Sequence, residues 1–97
     1  MQYPIDELRK YVGQVVEVHH LTYDIKGNKQ FIQPERKTLK SVYPEYFYIG
    51  DGSSYHQILW DRIEDTNGKR YAAGLIKDKN GNEIYRNDEV LSHDSHL

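Results

Sequence analysis

The sequence predicts a mainly β domain, in which a short N-terminal helix precedes a small, strongly bent antiparallel barrel and an extra C-terminal β-hairpin. Three observations lead to this prediction. Apolar residues recur at helical spacing only before Gly13. After Gly13, short β-branched and aromatic segments alternate with turn sequences, as they do in small barrels. No second helical pattern follows, which disfavours parallel βαβ units, and 97 residues leave room for a single domain, residues 1–97.

The first element is predicted to be a helix over about residues 4–12. Pro4 suits the first helical position because its ring fixes φ near the helical value. Ile5 and Leu8 follow at helical spacing, and Gly13 is a typical terminator. A helix this short is not stable alone, so its apolar face must pack on the rest of the domain.

A long strand is predicted over residues 14–23, where β-branched residues replace the helical pattern. Side chains alternate between the two faces of a strand. Val16 and Val18 are therefore expected to face the core, and Glu17 and His19 the opposite side.

The middle of the chain reads as a bent strand followed by a hairpin. A turn at residues 26–29 leads into extended chain, and Pro34, which cannot donate a ladder hydrogen bond, marks a sharp bend in it. Residues 46–49 form the next predicted strand, and the glycine-rich residues 50–53 turn it back into a strand over residues 55–60. The predicted barrel spans about residues 14–66.

The C-terminal part is predicted to be a hairpin over about residues 70–91, added to the barrel and followed by a flexible tail, 92–97. Asn80-Gly81 is the strongest hairpin turn in the chain, because both residues tolerate a positive φ. The predicted core consists of large apolar residues from the helix and the barrel strands: Leu8, Val16, Val18, Phe47, Ile49, Ile58, Trp60 and Ile63.

Two segments within residues 5–66 resemble the opening and the closing of Sm-like barrels. They are Leu8-x-x-Tyr11-x-Gly13-x-x-Val16-x-Val18, and Tyr46-Phe47-Tyr48-Ile49 followed by Ile58-Leu59-Trp60-Asp61-Arg62-Ile63. The second is also similar to the end of WYL-type ligand-sensing domains and to the small Rho-binding antiterminator family, which share the Sm/SH3-like barrel. The WYL tripeptide and the Sm loop motifs that hold a uridine base are absent, so the resemblance implies a fold and no ligand site.

Residues 74–90 resemble the closing segment of YopX-type phage proteins. The resemblance rests on Lys77-Asp78-Lys79-Asn80-Gly81, on Glu83-Ile84-Tyr85 and on Asp88-x-Val90. Members of that family have no known function. The resemblance therefore implies a gene of phage, prophage or other mobile-element origin and says nothing about activity.

Composition excludes several classes of protein. The absence of cysteine excludes disulfides and thiolate metal sites. No apolar run approaches the roughly 20 residues that span a bilayer, and residues 1–7 lack the pattern of a signal peptide. A cytoplasmic protein without membrane association is the expectation, since disulfide-poor small domains are typical of reducing compartments.

The sequence offers no motif for catalysis and predicts no enzyme and no cofactor. It has no cysteine, no Gly-x-Ser-x-Gly nucleophile motif and no phosphate-binding loop with its lysine. His19 and His20 adjoin on a strand, so they should point to opposite faces. A His20–His56 pair is a candidate metal or pH-sensitive site, with simple packing as the favoured alternative. We predict no specific metal site.

The predicted contact surface combines a basic segment with aromatic rings. Residues 25–40 carry five lysines and arginines against one glutamate, although the net charge of the chain is −2. The favoured partner is a protein, bound by strand addition at an open edge of the bent strand, with self-association as one form of it. The alternative is single-stranded nucleic acid such as RNA, held by stacking rings and cations. The candidate residues are Phe31, Arg36, Lys37, Lys40, Tyr43, Tyr46 and Tyr48.

Overall fold

The computed structural model describes residues 3–23, 29–31, 33–62 and 70–87, and these form one short helix and one antiparallel sheet. The mainly β prediction is confirmed. The elements are α1 (Ile5–Arg9), β1 (Val15–Tyr23), β2 (Lys29–Phe31), β3 (Glu35–Val42), β4 (Tyr46–Asp51), β5 (Ser54–Leu59), β6 (Asp61–Arg62), β7 (Arg70–Lys77) and β8 (Glu83–Arg86).

The sheet follows the order β5-β4-β3-β1-β7-β6, with β2 paired to β1 and β8 paired to β7. β1 lies at the centre, since it pairs with β3 through its first half, with β2 through its last residues and with β7 along most of its length. The two end strands, β5 and β6, are consecutive in the chain and separated by Trp60 alone. The Trp60 amide donates to the Glu45 carbonyl at 3.3 Å, and the Trp60 carbonyl accepts from the Ala73 amide at 3.2 Å.

Helix α1 is shorter than predicted, because the amides of residues 10–12 donate to carbonyls three residues back, in the tighter pattern that often closes a helix. Pro4 lies at the N-cap, outside the helix, and the helix ends at Arg9. The Gly13 amide donates to the Leu39 carbonyl at 2.8 Å, and Gly13 adopts φ +92°, which glycine allows at little cost. Leu8 is fully buried and fixes the helix on the sheet.

Seven of the eight predicted core residues are buried, and the eighth, Ile63, lies outside the described residues. Trp60 is fully buried at the centre of an aromatic group. Its ring stacks on Tyr3, with centroids 5.0 Å apart, and meets Phe47 at 5.0 Å and Tyr85 at 5.2 Å. The indole Nε1–H donates to the Tyr43 carbonyl at 3.2 Å, so the buried ring leaves no polar atom unpaired.

The C-terminal hairpin is present, but it is part of the sheet and not an addition to a complete barrel. Asn80-Gly81 forms the predicted turn, with Gly81 at φ +86° and the Asp78 carboxylate accepting from the Asn80 and Asn82 amides at 2.9 Å. β7 however pairs with β1, β6 and β8. The turn sequence predicts that two strands meet, but it carries no information on which third strand they join. The predicted end of the hairpin at residue 91 and the tail 92–97 lie outside the described residues.

Candidate binding surface

Four tyrosines form one continuous group on the face of β3, β4 and β5 that points away from the core. Phe47 and Ile49 are fully buried, so strand alternation directs Tyr46 and Tyr48 to the opposite face. Tyr43 follows the end of β3, and Tyr55 lies near the start of β5. We call Tyr43, Tyr46, Tyr48 and Tyr55 the tyrosine cluster.

Tyr48 contacts the other three rings of the tyrosine cluster edge to face, and the rings of Tyr43 and Tyr46 meet at a tilted 47°. Tyr48 is central, with ring centroids 5.5 Å from Tyr46, 6.1 Å from Tyr43 and 5.4 Å from Tyr55, and interplanar angles of 76°, 87° and 87°. These are the distances and angles at which aromatic pairs attract. Tyr43 is 43% exposed and Tyr55 is 62% exposed, so the cluster offers ordered ring surface to solvent.

A solvent-open groove of about 530 Å³ runs beside the cluster. Three tyrosines of the cluster line it, Tyr43, Tyr48 and Tyr55, and the other lining residues are Lys40, Ser41, Gly52 and Ser53. The volume falls within the range of ligand-binding clefts. The groove is therefore aromatic along three of its residues and polar along the rest.

Lys40 is directed into the groove by a β-bulge. Leu39 pairs with Ile49 and Ser41 with Tyr48, so Lys40 is the extra residue on β3. Bulges re-aim side chains in this way. The Lys40 ammonium donates to the Gly52 carbonyl at 2.8 Å, and within the described part of the chain no carboxylate pairs with it.

The phenol of Tyr46 is held in its protonated form. Its pKa is raised above 10.0, chiefly because the neighbouring Tyr48 disfavours a phenolate, with desolvation and Tyr43 adding to the effect. At neutral pH a tyrosine hydroxyl is a neutral hydrogen-bonding group even without this shift, so the shift leaves the role of Tyr46 at pH 7 unchanged.

The structure separates the predicted cations, although it keeps the predicted tyrosines together. Arg36 lies opposite Glu17 and donates to its carboxylate at 2.9 Å. Lys37 lies opposite Val16, on the side of the sheet that carries the core, with its ammonium 3.9 Å from the Asp51 carboxylate. Directly paired residues share a face, so Arg36 and Lys37 lie on opposite faces of the sheet. The side chain of Phe31 lies outside the described part of the structure.

Strand addition at an edge of the bent strand stays a prediction. β3 pairs with β1 through its first half and with β4 through its second half, and the end strand is β5. Alternation along a strand cannot identify the edge of a sheet, because pairing partners are set by the whole fold.

Tyr55 belongs to the tyrosine cluster but is not among the predicted contact residues. The sequence did indicate its position: residues 56, 58 and 60 of its strand share one face, which leaves Tyr55 on the other.

A second side-chain cluster joins three strands on the core side of the sheet. The Oε2 atom of Glu35 lies 2.7 Å from Nε2 of His20 and 3.1 Å from Nε2 of His56. Partial burial acts to raise the pKa of Glu35, but the hydrogen bonds and charges of the two histidines outweigh it and lower that pKa below 4.5. In the described ranges no group of three His, Asp or Glu residues is arranged to hold a metal ion.

Comparison with known proteins gives no relative for this chain: no family model, no curated protein and no solved structure matches it. Within the described residues, no helix has the length and apolar character needed to cross a membrane.

Proposed function

We propose that this domain is a non-enzymatic protein-binding module whose contact surface is the tyrosine cluster with its groove. The observation that carries the proposal is the exposed ring surface of Tyr43 and Tyr55, held against the partly buried Tyr48. Tyrosine is enriched in the energetically dominant centres of protein interfaces. Rings that already contact one another lose little rotamer freedom when a partner binds.

The test is a double variant, Tyr43→Ser with Tyr55→Ser. Both rings are largely exposed, so the domain should stay folded. Val12→Ser is the matched control, because Val12 is an exposed apolar side chain on a different part of the surface, 45% accessible. Proteins captured from nuclease-treated lysate would be purified and their Kd values measured. We expect the double variant to weaken binding at least tenfold and the control to leave it unchanged, and equal affinities for all three proteins would refute the proposal.

Single-stranded nucleic acid is the second candidate, because exposed rings beside a lysine are the elements of base stacking and phosphate contact. Its weakness is electrostatic, since Arg36 and Lys37 already pair with Glu17 and Asp51. A 12-nucleotide oligouridylate tests it directly. Micromolar binding that weakens steeply between 50 and 200 mM salt and depends on Lys40 would favour this candidate over a protein partner.

For the fold, we propose closure of the sheet into a small barrel of the Sm/SH3-like kind. Two features support it. Trp60, between the end strands β5 and β6, hydrogen-bonds to Glu45 just before β4 and to Ala73 of β7. The bridge from Glu35 to His56 links β3 to β5 across the core side. We further propose a cytoplasmic protein of mobile-element origin, on the cysteine-free composition and the pattern of residues 74–90. Self-association by strand addition at the outer edge of β5 is the alternative to this closure, because a closed barrel leaves no free edge.

A further inference from the structure

The charge of the groove indicates which chemistry it accepts. Lys40 is the one charged residue among the described residues that line it, and the ammonium has three donor hydrogens, of which the Gly52 carbonyl takes one. The hydroxyls of Ser41 and Ser53 add further hydrogen-bonding capacity. Among the described residues that line the groove there is no carboxylate, so an occupant that brings an anionic group would meet an unpaired cation and several hydrogen-bond donors.

The Lys40 ammonium also disfavours a cationic ligand, which is the kind of ligand that the tyrosine rings alone would suggest. Tyr43, Tyr48 and Tyr55 all line the groove, and aromatic rings grouped in this way can bind quaternary ammonium groups in the space beside them. A ligand cation in that space would lie in the same groove as the Lys40 ammonium. Repulsion between like charges disfavours such a complex, and charge complementarity favours an acid.

Lys40 is also well placed before anything binds. It is the bulged residue of β3, and its hydrogen bond to Gly52 ties its long side chain to the β4–β5 turn. A lysine that is already restrained loses less side-chain entropy when it binds an anion. Its position beside the rings means that one ligand segment can contact both.

The charges around the groove favour a single acid over a polyanion. Arg36 is bound to Glu17 at 2.9 Å, and Lys37 lies near Asp51 on the other side of the sheet. Binding to a phosphate backbone is driven by the release of counterions and needs several free protein cations. Binding of one aspartate or glutamate needs a single free cation. The rings of Tyr43 and Tyr55 then remain to hold an apolar side chain beside the acid.

We propose that the groove recognises a peptide segment in which an aspartate or glutamate lies next to an aromatic residue. The acid binds the Lys40 ammonium, and the aromatic side chain packs edge to face against Tyr43, Tyr48 and Tyr55. This inference rests on the proposed function, since it specifies what the protein partner presents to the tyrosine cluster.

The test is a selection from a displayed library of random 12-residue peptides, carried out on the full chain and on three variants. The wild type should enrich peptides with an acid adjacent to Phe, Tyr or Trp. Lys40→Glu should enrich Lys or Arg at that position, and Lys40→Met should keep the aromatic preference and lose the acidic one. Lys37→Glu is the matched control, because it reverses a lysine outside the groove, and its selection should match the wild type.

One enriched peptide, made synthetically, completes the test. We expect Lys40→Glu to weaken its binding at least tenfold, and replacement of the acid by lysine in the peptide to restore most of the loss. Acidic enrichment that persists with Lys40→Glu would overturn the inference, as would tighter binding of oligouridylate than of any peptide. If no peptide is enriched while the tyrosine double variant still loses its partner, the inference fails and the proposed function stands. If enriched peptides bind that double variant unchanged, both fail.

Discussion

Replacing Glu35 by glutamine tests how far the bridge from β1 and β3 to β5 stabilises the domain. In the wild type one carboxylate oxygen lies 2.7 Å from His20 Nε2 and 3.1 Å from His56 Nε2. The side chains of Glu35, His20 and His56 are 29%, 23% and 44% exposed. Hydrogen bonds to a buried charged group contribute about 1.5–3 kcal/mol, and exposed ion pairs about 0.2–1 kcal/mol.

Because these side chains are neither fully buried nor fully exposed, the free energy that each contact contributes should lie between these two limits. We assign about 1 kcal/mol to the shorter contact with His20 and about 0.5 kcal/mol to the more exposed one with His56. Glu35→Gln should therefore lower the free energy of unfolding at pH 7 by about 1.5 kcal/mol, or Tm by roughly 6–12 °C for a domain of this size. Thermal and urea unfolding followed by circular dichroism measure both quantities.

The pH dependence gives a second, independent measurement. The pKa of Glu35 is lowered in the folded protein, so the carboxylate stabilises the fold above about pH 4.5 and loses this effect as the pH falls through its folded pKa. Glutamine does not titrate, so the difference between wild type and variant should shrink steadily below pH 4.5.

Glu83→Gln is the matched control for Glu35→Gln. It breaks a contact of 2.9 Å with Arg86 between side chains that are 43% and 47% exposed. It should cost at most about 0.5 kcal/mol. Equal effects of the two substitutions at pH 7, or a Glu35→Gln effect undiminished at pH 3, would refute the assignment.

Two further predictions concern the strands beneath the tyrosine cluster. A Cβ atom at Gly50 would lie 1.9 Å from the backbone oxygen of Ser54, so Gly50→Ala should lower Tm far more than Gly52→Ala, which meets nothing within 4 Å and carries only the strain of φ +58°. Equal melting temperatures would mean that the β4–β5 turn is not packed as described. Phe47→Ala empties a fully buried position and should cost about 3–5 kcal/mol, close to the whole stability of a small domain. A cooperative transition within 3 °C of the wild type would contradict its place in the core.

Short-range sequence patterns predicted the turns and the strand faces, because these features depend on residues that are close together in the chain. Val16 and Val18 are buried because period-2 alternation fixes which side of a strand faces the core. Asn80-Gly81 lies in a turn because Gly81 takes φ +86° and the Asp78 carboxylate accepts from the amides of Asn80 and Asn82. The tyrosines of β4 lie together for the same reason, since burial of Phe47 leaves no other face for them.

The sequence could not predict features that depend on strands distant in the chain. Lys40 is directed to the groove by a bulge whose register is set by pairing with β4, and no residue type marks such a bulge in advance. The helix ends at Arg9, and Gly13 then donates to Leu39 of β3, a partner 26 residues further along the chain that the local sequence does not indicate. In the sequence Glu35 is the one acid of a basic segment. The fold of the sheet brings it next to two histidines from other strands, which the sequence does not indicate.

The pairing of β1 with β7 has a consequence for synthesis of the chain. β1 is made early, but its longest ladder is the one with β7, Arg70–Lys77. This ladder joins residues that are far apart in sequence. Folds dominated by such contacts form in milliseconds to seconds. A ribosome that adds roughly 5–20 residues per second needs several seconds to reach β7 after β1. During that interval β1 is a long strand with an unsatisfied edge, and it is the segment on which a nascent chain of this kind would first aggregate or engage a chaperone.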